Sequence, residues 1–183
     1  MITYVGRFLP NLASKTDPMR SLLRDGVSFT WKEEQQAAFE AIKSEMSTIG
    51  YLGYFDPKDT SFLVTDALGA VLLQENQMKE KRIIAFASKS LTDLEKKYFQ
   101  TERKALALVW AVEKFYLYLL GTKFKLITDC KPLDFLFSHR FKPCPRIERW
   151  VLRVQAYQFD IIYQPGATDR KSFSRDLLSV WYA

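Results

Sequence analysis

The succession of apolar periods after the polar turn Asp56-Pro57-Lys58-Asp59 constrains this chain more than any other feature. Residues 61–66 (SFLVTD), 68–74 (LGAVLLQ) and 82–88 (RIIAFAS) are short apolar runs bounded by polar residues, so they read as three consecutive strands. Residues 90–119 follow at helical period, in two pieces with a break near Gln100-Thr101, and Gly121 is placed to end the second piece. A fourth strand is predicted over 124–128 (FKLIT), a short helix over 132–137 and an amphipathic helix over 146–157. A fifth strand is predicted over 159–163 (FDIIY), then the turn Pro165-Gly166. Three strands, helix, strand, helix, strand imply an α/β layer with helices on a mixed sheet. The predicted fold class is α/β, a five-stranded mixed sheet with helices on both faces.

Upstream of the polar turn the texture is helical. Ile2, Val5, Phe8, Leu9 and Leu12 recur at three and four. Asp17-Pro18 opens a second short helix carrying Met19, Leu22 and Leu23, which Gly26 ends. Thr30 and Glu33 have the spacing of a capping box, and the helix from there to Ser47 would place Phe39, Ile42 and Met46 on one stripe. The expected organisation is a helical segment over 1–55 and an α/β domain over 56–183.

Composition narrows the function classes. Of 183 residues, 48% are hydrophobic and 15% aromatic, which excludes a disordered tail. The net charge of +6 is a bias that fits a nucleic-acid partner and equally fits an ordinary solvated surface. Cys130 and Cys144 cannot build a disulfide framework or a zinc site, and His139, the single histidine, cannot build a histidine triad. The N-terminus lacks a signal-peptide pattern, and the apolar stretch 105–120 is interrupted by Glu113 and Lys114. The expected setting is intracellular, cytoplasmic or nuclear, with no secretion and no membrane partner.

Two aspartates follow apolar strands in the same local pattern, Val64-Thr65-Asp66 and Ile127-Thr128-Asp129. Adjacent strand ends would bring two like charges together, an arrangement a divalent cation stabilises; a turn or cap role is the alternative. The helix over 101–119 begins with Glu102, Arg103 and Lys104. At about 100° per residue, Glu102 and Lys104 point roughly 200° apart, so only one of them can face the strand ends. Leu108, Ala111 and Phe115 continue the Lys104 side, and Leu106, Val109 and Glu113 continue the Glu102 side, so periodicity leaves the choice open. Arg146, Arg149 and Arg153 share a helix face that could follow a phosphate backbone or simply meet solvent.

Ordered blocks over nearly the whole chain carry a resemblance. They run from YVGRFLPNLASKTDPMRSLL, FTWKEEQQAAFEAIK and YFDP through VTDALGAVLLQ and IIAFASKSLTDLEKKYFQTERKALALVWAVEKFYLYLLG. They continue through FKLITDCKPLDFL and RIERWVLRVQAYQFDIIYQPGAT. The chain resembles the C-terminal part of a gypsy-type LTR retrotransposon polyprotein, where a reverse transcriptase ends and a ribonuclease H follows. The resemblance implies a thumb/connection remnant over 1–55 and a ribonuclease H-like domain over 56–183. It also implies a polymerase segment upstream, an RNA–DNA hybrid as partner, and cleavage of the RNA strand by two Mg²⁺ (or Mn²⁺) ions held by four carboxylates.

Carried over residue by residue, the first and third carboxylates fall on Asp66 and Asp129. The second belongs to a Thr-Glu-x-Glu pattern that here reads TERKALA, which puts Lys104, not Glu102, at the catalytic position. The fourth falls near Ser172, flanked by Asp169 and Asp176. Asp66-Ala67 also runs straight into Leu68-Gly69 where the family has about four more residues, and Cys130 stands where a histidine usually follows the third aspartate. An ammonium at position 104 would pair with Asp66 and Asp129 and leave the nuclease lost or crippled. The alternatives are a live enzyme in which Glu102 swings in through an irregular first turn, a module that binds hybrid without cutting it, and a domesticated remnant.

Overall fold

The structure, a computed structural model, describes residues 6–48, 52–66, 69–137 and 145–164. His139, Cys144, Asp169, Ser172 and Asp176 lie outside the described residues. The helices are α1 (Leu12–Lys15), α2 (Asp17–Ser21), α3 (Glu33–Thr48), α4 (Asp93–Lys96), α5 (Gln100–Lys114), α6 (Tyr116–Leu119), α7 (Pro132–Phe137) and α8 (Pro145–Val154). The strands are β1 (Thr60–Asp66), β2 (Gly69–Glu75), β3 (Lys81–Ser88), β4 (Lys123–Thr128) and β5 (Gln158–Tyr163). They form one mixed sheet in the order β3-β2-β1-β4-β5. β1, β2 and β3 are antiparallel neighbours, whereas β1, β4 and β5 are parallel.

Alternation along the strands sorts the sheet into two apolar faces. Leu63, Ala70, Leu72, Phe124 and Leu126 face the larger cluster, which also holds Leu108, Val112 and Phe115 of the α5 region and Ile147, Trp150 and Val154 of α8. Phe62, Val71, Leu73, Phe86 and Ile127 form the smaller cluster on the opposite face. Between Leu72 and Leu73 the β2–β3 register slips by a bulge, where the partner changes from Ala85 to Ile83. Gly121, at φ +80°, turns the chain out of α6 toward β4, a conformation that residues with a Cβ resist.

The upstream helices meet the sheet at its β3 edge. The Phe86 amide donates to the Arg7 carbonyl (2.9 Å), and the Gly53 amide donates to the Ile83 carbonyl (2.8 Å). Backbone groups that an edge strand would otherwise expose are thereby paired. Buried Gln74 ties the junction: its Oε1 accepts from the Asp56 amide (2.9 Å), and its Nε2 donates to the Asp56 carbonyl (2.8 Å) and Ser61 Oγ (3.2 Å).

Two sequence expectations fail in the upstream segment. The Thr30–Glu33 capping box is not formed, because α3 begins at Glu33. The residue three places beyond Lys32 is Gln35, and its Oε1 accepts from the Lys32 amide (3.0 Å). The buried stripe is rotated accordingly: Gln35 and Ile42 are buried, whereas Phe39 and Met46 are exposed. Further on, the helical stretch breaks over 97–99, next to the expected Gln100-Thr101, and α8 ends at Val154, before the expected Tyr157.

Candidate functional site

The site lies at the C-terminal ends of β1 and β4. Parallel pairing sets Val64 opposite Ile127, so two residues further on Asp66 and Asp129 stand at the same level of neighbouring strands. Such strands run about 4.8 Å apart. Asp66 pairs with Gly69 across the β1–β2 hairpin, so only positions 67 and 68 separate the two strands. Asp129 follows β4 in a fixed turn. The Cys130 amide donates to Thr128 Oγ1 (3.2 Å), the Gln164 amide to the Thr128 carbonyl (2.9 Å) and the Leu133 amide to the Cys130 carbonyl (3.0 Å).

Helix α5 delivers Lys104 to this point. It packs across β1 and β2 through a stripe of buried residues, and Leu108, Ala111 and Phe115 continue the Lys104 side of that stripe inward. Lys104 occupies the site end of the stripe, and its Nζ donates to Asp129 Oδ2 in an ion pair. The Lys104 side chain is 12% exposed and that of Asp129 36%, so the ammonium is largely withdrawn from water. Burial pushes the neighbouring Cys130 thiol up; the Lys104 ammonium opposes this and the Asp129 carboxylate adds to it.

Glu102 is held elsewhere. Its Oε2 accepts from the Phe99 amide (3.2 Å), and its Oε1 accepts from Arg146 Nη1 of α8 (2.9 Å). Its carboxylate therefore closes the N-terminus of α5, where a negative charge also meets the positive end of the helix dipole. The first turn of α5 is regular from Gln100 onward, so the irregular turn that would swing Glu102 inward is not present. Arg146 also lies over the Tyr98 ring, 4.4 Å from its centroid.

Arg153, at the far end of α8, forms a two-point bond with Glu113, Nε to Oε1 at 2.7 Å and Nη2 to Oε2 at 2.5 Å. Arg149 Nε donates to the Pro145 carbonyl of its own helix (3.2 Å). Two members of the arginine stripe thus strap α8 to α5, above a seam containing Ile147, Trp150 and Val154. The sequence carried this signal. Glu102 and Glu113 lie eleven positions apart and Arg146 and Arg153 seven, both close to whole helical turns, so each pair of like residues shares a face.

The donor set does not fit a divalent cation. A protonated lysine has no lone pair to offer and repels a second cation by about 4 kcal/mol per unit charge at roughly 4 Å and an effective dielectric near 20. Among the described residues, no group of three or more His, Cys, Asp or Glu side chains is placed to hold a metal. Among them also, no helix is long and apolar enough to cross a membrane.

Comparison with known proteins places this geometry in context. Residues 56–157 match the family described as the RNase H-like domain found in reverse transcriptase. The chain is 38% identical over 168 residues to the retrovirus-related Pol polyprotein from transposon 297 of Drosophila melanogaster, covering 89% of this chain and 15% of that polyprotein. It is 28% identical over 175 residues to the transposon Tf2-3 polyprotein of Schizosaccharomyces pombe, covering 92% of this chain and 13% of that one. The chain therefore spans about one-seventh of the length of these relatives. Among solved structures, the foamy viral protease-reverse transcriptase in complex with RNA/DNA hybrid superposes with a TM-score of 0.71 at 19% identity, covering 91% of this chain and 24% of that one. That likeness is one of fold, and it includes the five-stranded mixed sheet. The family match covers more than half of the chain, from β1 through α5 to α8. On that ground the chain belongs to the RNase H-like domain family found in reverse transcriptases.

Proposed function

We propose that the chain is the RNase H-like segment of a gypsy-type LTR retrotransposon Pol polyprotein, that it engages RNA–DNA hybrid, and that hybrid cleavage is lost or crippled in this copy. The carrying observation is the Lys104–Asp129 ion pair. A nuclease of this family needs negative charge at the β1 and β4 ends to gather Mg²⁺ or Mn²⁺ around the scissile phosphate. Here the helix residue that resemblance puts at the second-carboxylate position is a cation, and it neutralises Asp129. Residues 1–55 are proposed as the thumb/connection remnant, residues 56–183 as the RNase H-like domain, with a polymerase segment upstream in the polyprotein.

Hybrid as ligand is supported by the foamy viral protein of the same fold, whose structure holds an RNA/DNA hybrid, and by the +6 net charge. Within the arginine stripe, Arg146 and Arg153 are engaged with α5, so backbone contact by this face would rest first on Arg149. The test is a labelled hybrid incubated with the purified chain in Mg²⁺ or Mn²⁺ over a range of salt. Salt-dependent binding without product is expected. Product that disappears in Asp129→Asn would refute the loss of cleavage. No binding at low salt would refute the hybrid ligand and favour a remnant acting through protein contacts.

A further inference from the structure

We infer that Lys104 is a tethered cation that has replaced divalent metal in this domain, so that the stability of the fold is uncoupled from Mg²⁺ and Mn²⁺. The inference rests on the impaired-nuclease reading and extends it from what the site cannot cut to what the site no longer binds.

Three observations carry it. The first is position. The Lys104 ammonium sits on the Asp129 carboxylate, at the level where the β1–β4 backbone register also sets residue 66. The second is how the ammonium is held. Leu108, Ala111 and Phe115 are buried along the Lys104 side of the helix, which fixes the face that carries Lys104 toward the strand ends, and the Lys104 side chain is only 12% exposed. The third is what sets the helix phase. Glu102, turned away to the Phe99 amide and Arg146, keeps the first turn regular and so aims position 104 at the strand ends. Glu102 is on this view a positioning residue and no ligand.

A divalent ion entering the site would have to displace a covalently attached competitor whose effective concentration does not fall on dilution.

The measurement contains no nucleic acid, so its failure is separable from failure of the cleavage reading. Thermal melting of the wild-type chain is compared in EDTA and in 10 mM Mg²⁺ or Mn²⁺, beside Lys104→Glu, and Mn²⁺ binding is followed by electron paramagnetic resonance. The wild-type midpoint should be the same in EDTA and in either metal. Lys104→Glu should melt lower in EDTA and recover by about 5–10 °C in Mn²⁺, the shift expected of a ligand roughly 100-fold above its Kd in a domain of this size. A saturable rise in the wild-type midpoint that Asp129→Asn removes would overturn the inference. So would a Lys104→Glu chain indifferent to metal, because the excluding group would then not be Lys104. If Lys104→Glu does not fold, Lys104→Ala replaces it: at least tenfold tighter Mn²⁺ binding than wild type is expected, and equal binding overturns the inference.

Discussion

Removing the Arg153–Glu113 strap tests whether the arginine stripe serves the fold or the ligand. Arg153 meets Glu113 through two bonds of 2.7 and 2.5 Å, the planar guanidinium geometry that makes an ion pair most effective. Their side chains are 50% and 35% exposed, so water and salt screen much of the attraction. Exposed pairs are worth about 0.2–1 kcal/mol, and the two-point geometry puts this one at the upper end, about 0.5–1 kcal/mol. Arg153→Gln, Glu113→Gln and the double variant close a cycle by urea denaturation, with an expected coupling of that size and a midpoint loss of about 1–4 °C for each single variant. The strap lies over Trp150 and Val154, both of which are buried, so either single variant should loosen the same α5–α8 seam. Hybrid affinity and its dependence on salt should be unchanged within about twofold in Arg153→Gln, because a residue that contacts phosphate would also lower the salt slope. Zero coupling, combined with a tenfold loss of hybrid affinity in Arg153→Gln alone, would refute the reasoning and return the stripe to the nucleic-acid surface.

Other expectations follow from single sites. Trp150→Ala empties the centre of the α5–α8 seam and should cost about 3–5 kcal/mol in urea denaturation. Gln74→Leu strands the Asp56 amide and carbonyl at the junction and should cost about 2–3 kcal/mol, with proteolysis appearing near residues 54–59. Gly53→Ala would set a Cβ 2.5 Å from Arg82 Cδ, dislodge Arg82 from Asp59 and lower stability by about 1–2 kcal/mol in the same assay. Burial works to raise the Glu95 carboxyl, but the Lys89 ammonium and the Thr92 amide and hydroxyl outweigh it and hold it below its usual 4.5. A depressed carboxyl lends stability above its unfolded pKa and loses it as pH falls through the folded one. Acid melting of wild type should therefore fall away more steeply below about pH 4.5 than that of Glu95→Gln, and parallel curves would refute this. Cys130, raised by burial, should alkylate with iodoacetamide at pH 8 more slowly than an exposed cysteine, as read on its own peptide by mass spectrometry.

The sheet was legible because each strand is a short apolar run bounded by turn residues. All five strands begin and end within a residue of their predicted bounds, because polar turn residues flank each apolar run. Helix faces were harder to read. Val109 and Leu108 are both fully buried, one on the Glu102 side of α5 and one on the Lys104 side, so apolar periodicity could not say which residue meets Asp129. That question was decided by the resemblance in TERKALA and, in the structure, by tertiary partners: Arg146 draws Glu102 one way and Asp129 holds Lys104 the other. In the upstream segment the local signal misled. Thr30 and Glu33 have capping-box spacing, but Trp31 bonds Gln36 through its indole N–H (2.9 Å), the helix starts later, and Phe39 and Met46 turn outward. The pairing of Arg146 and Arg153 with two glutamates on another helix has no local signature. It emerges only when the spacings on both helices are compared.

On the function proposed above, an ammonium in place of a carboxylate has taken this RNase H-like domain out of catalysis. The most direct measurement is cleavage of a labelled RNA–DNA hybrid by the wild-type chain in Mg²⁺ and in Mn²⁺, run beside Asp129→Asn as the background. Wild type and Asp129→Asn should give the same trace of product. Wild-type cleavage that clearly exceeds Asp129→Asn in either metal would contradict it.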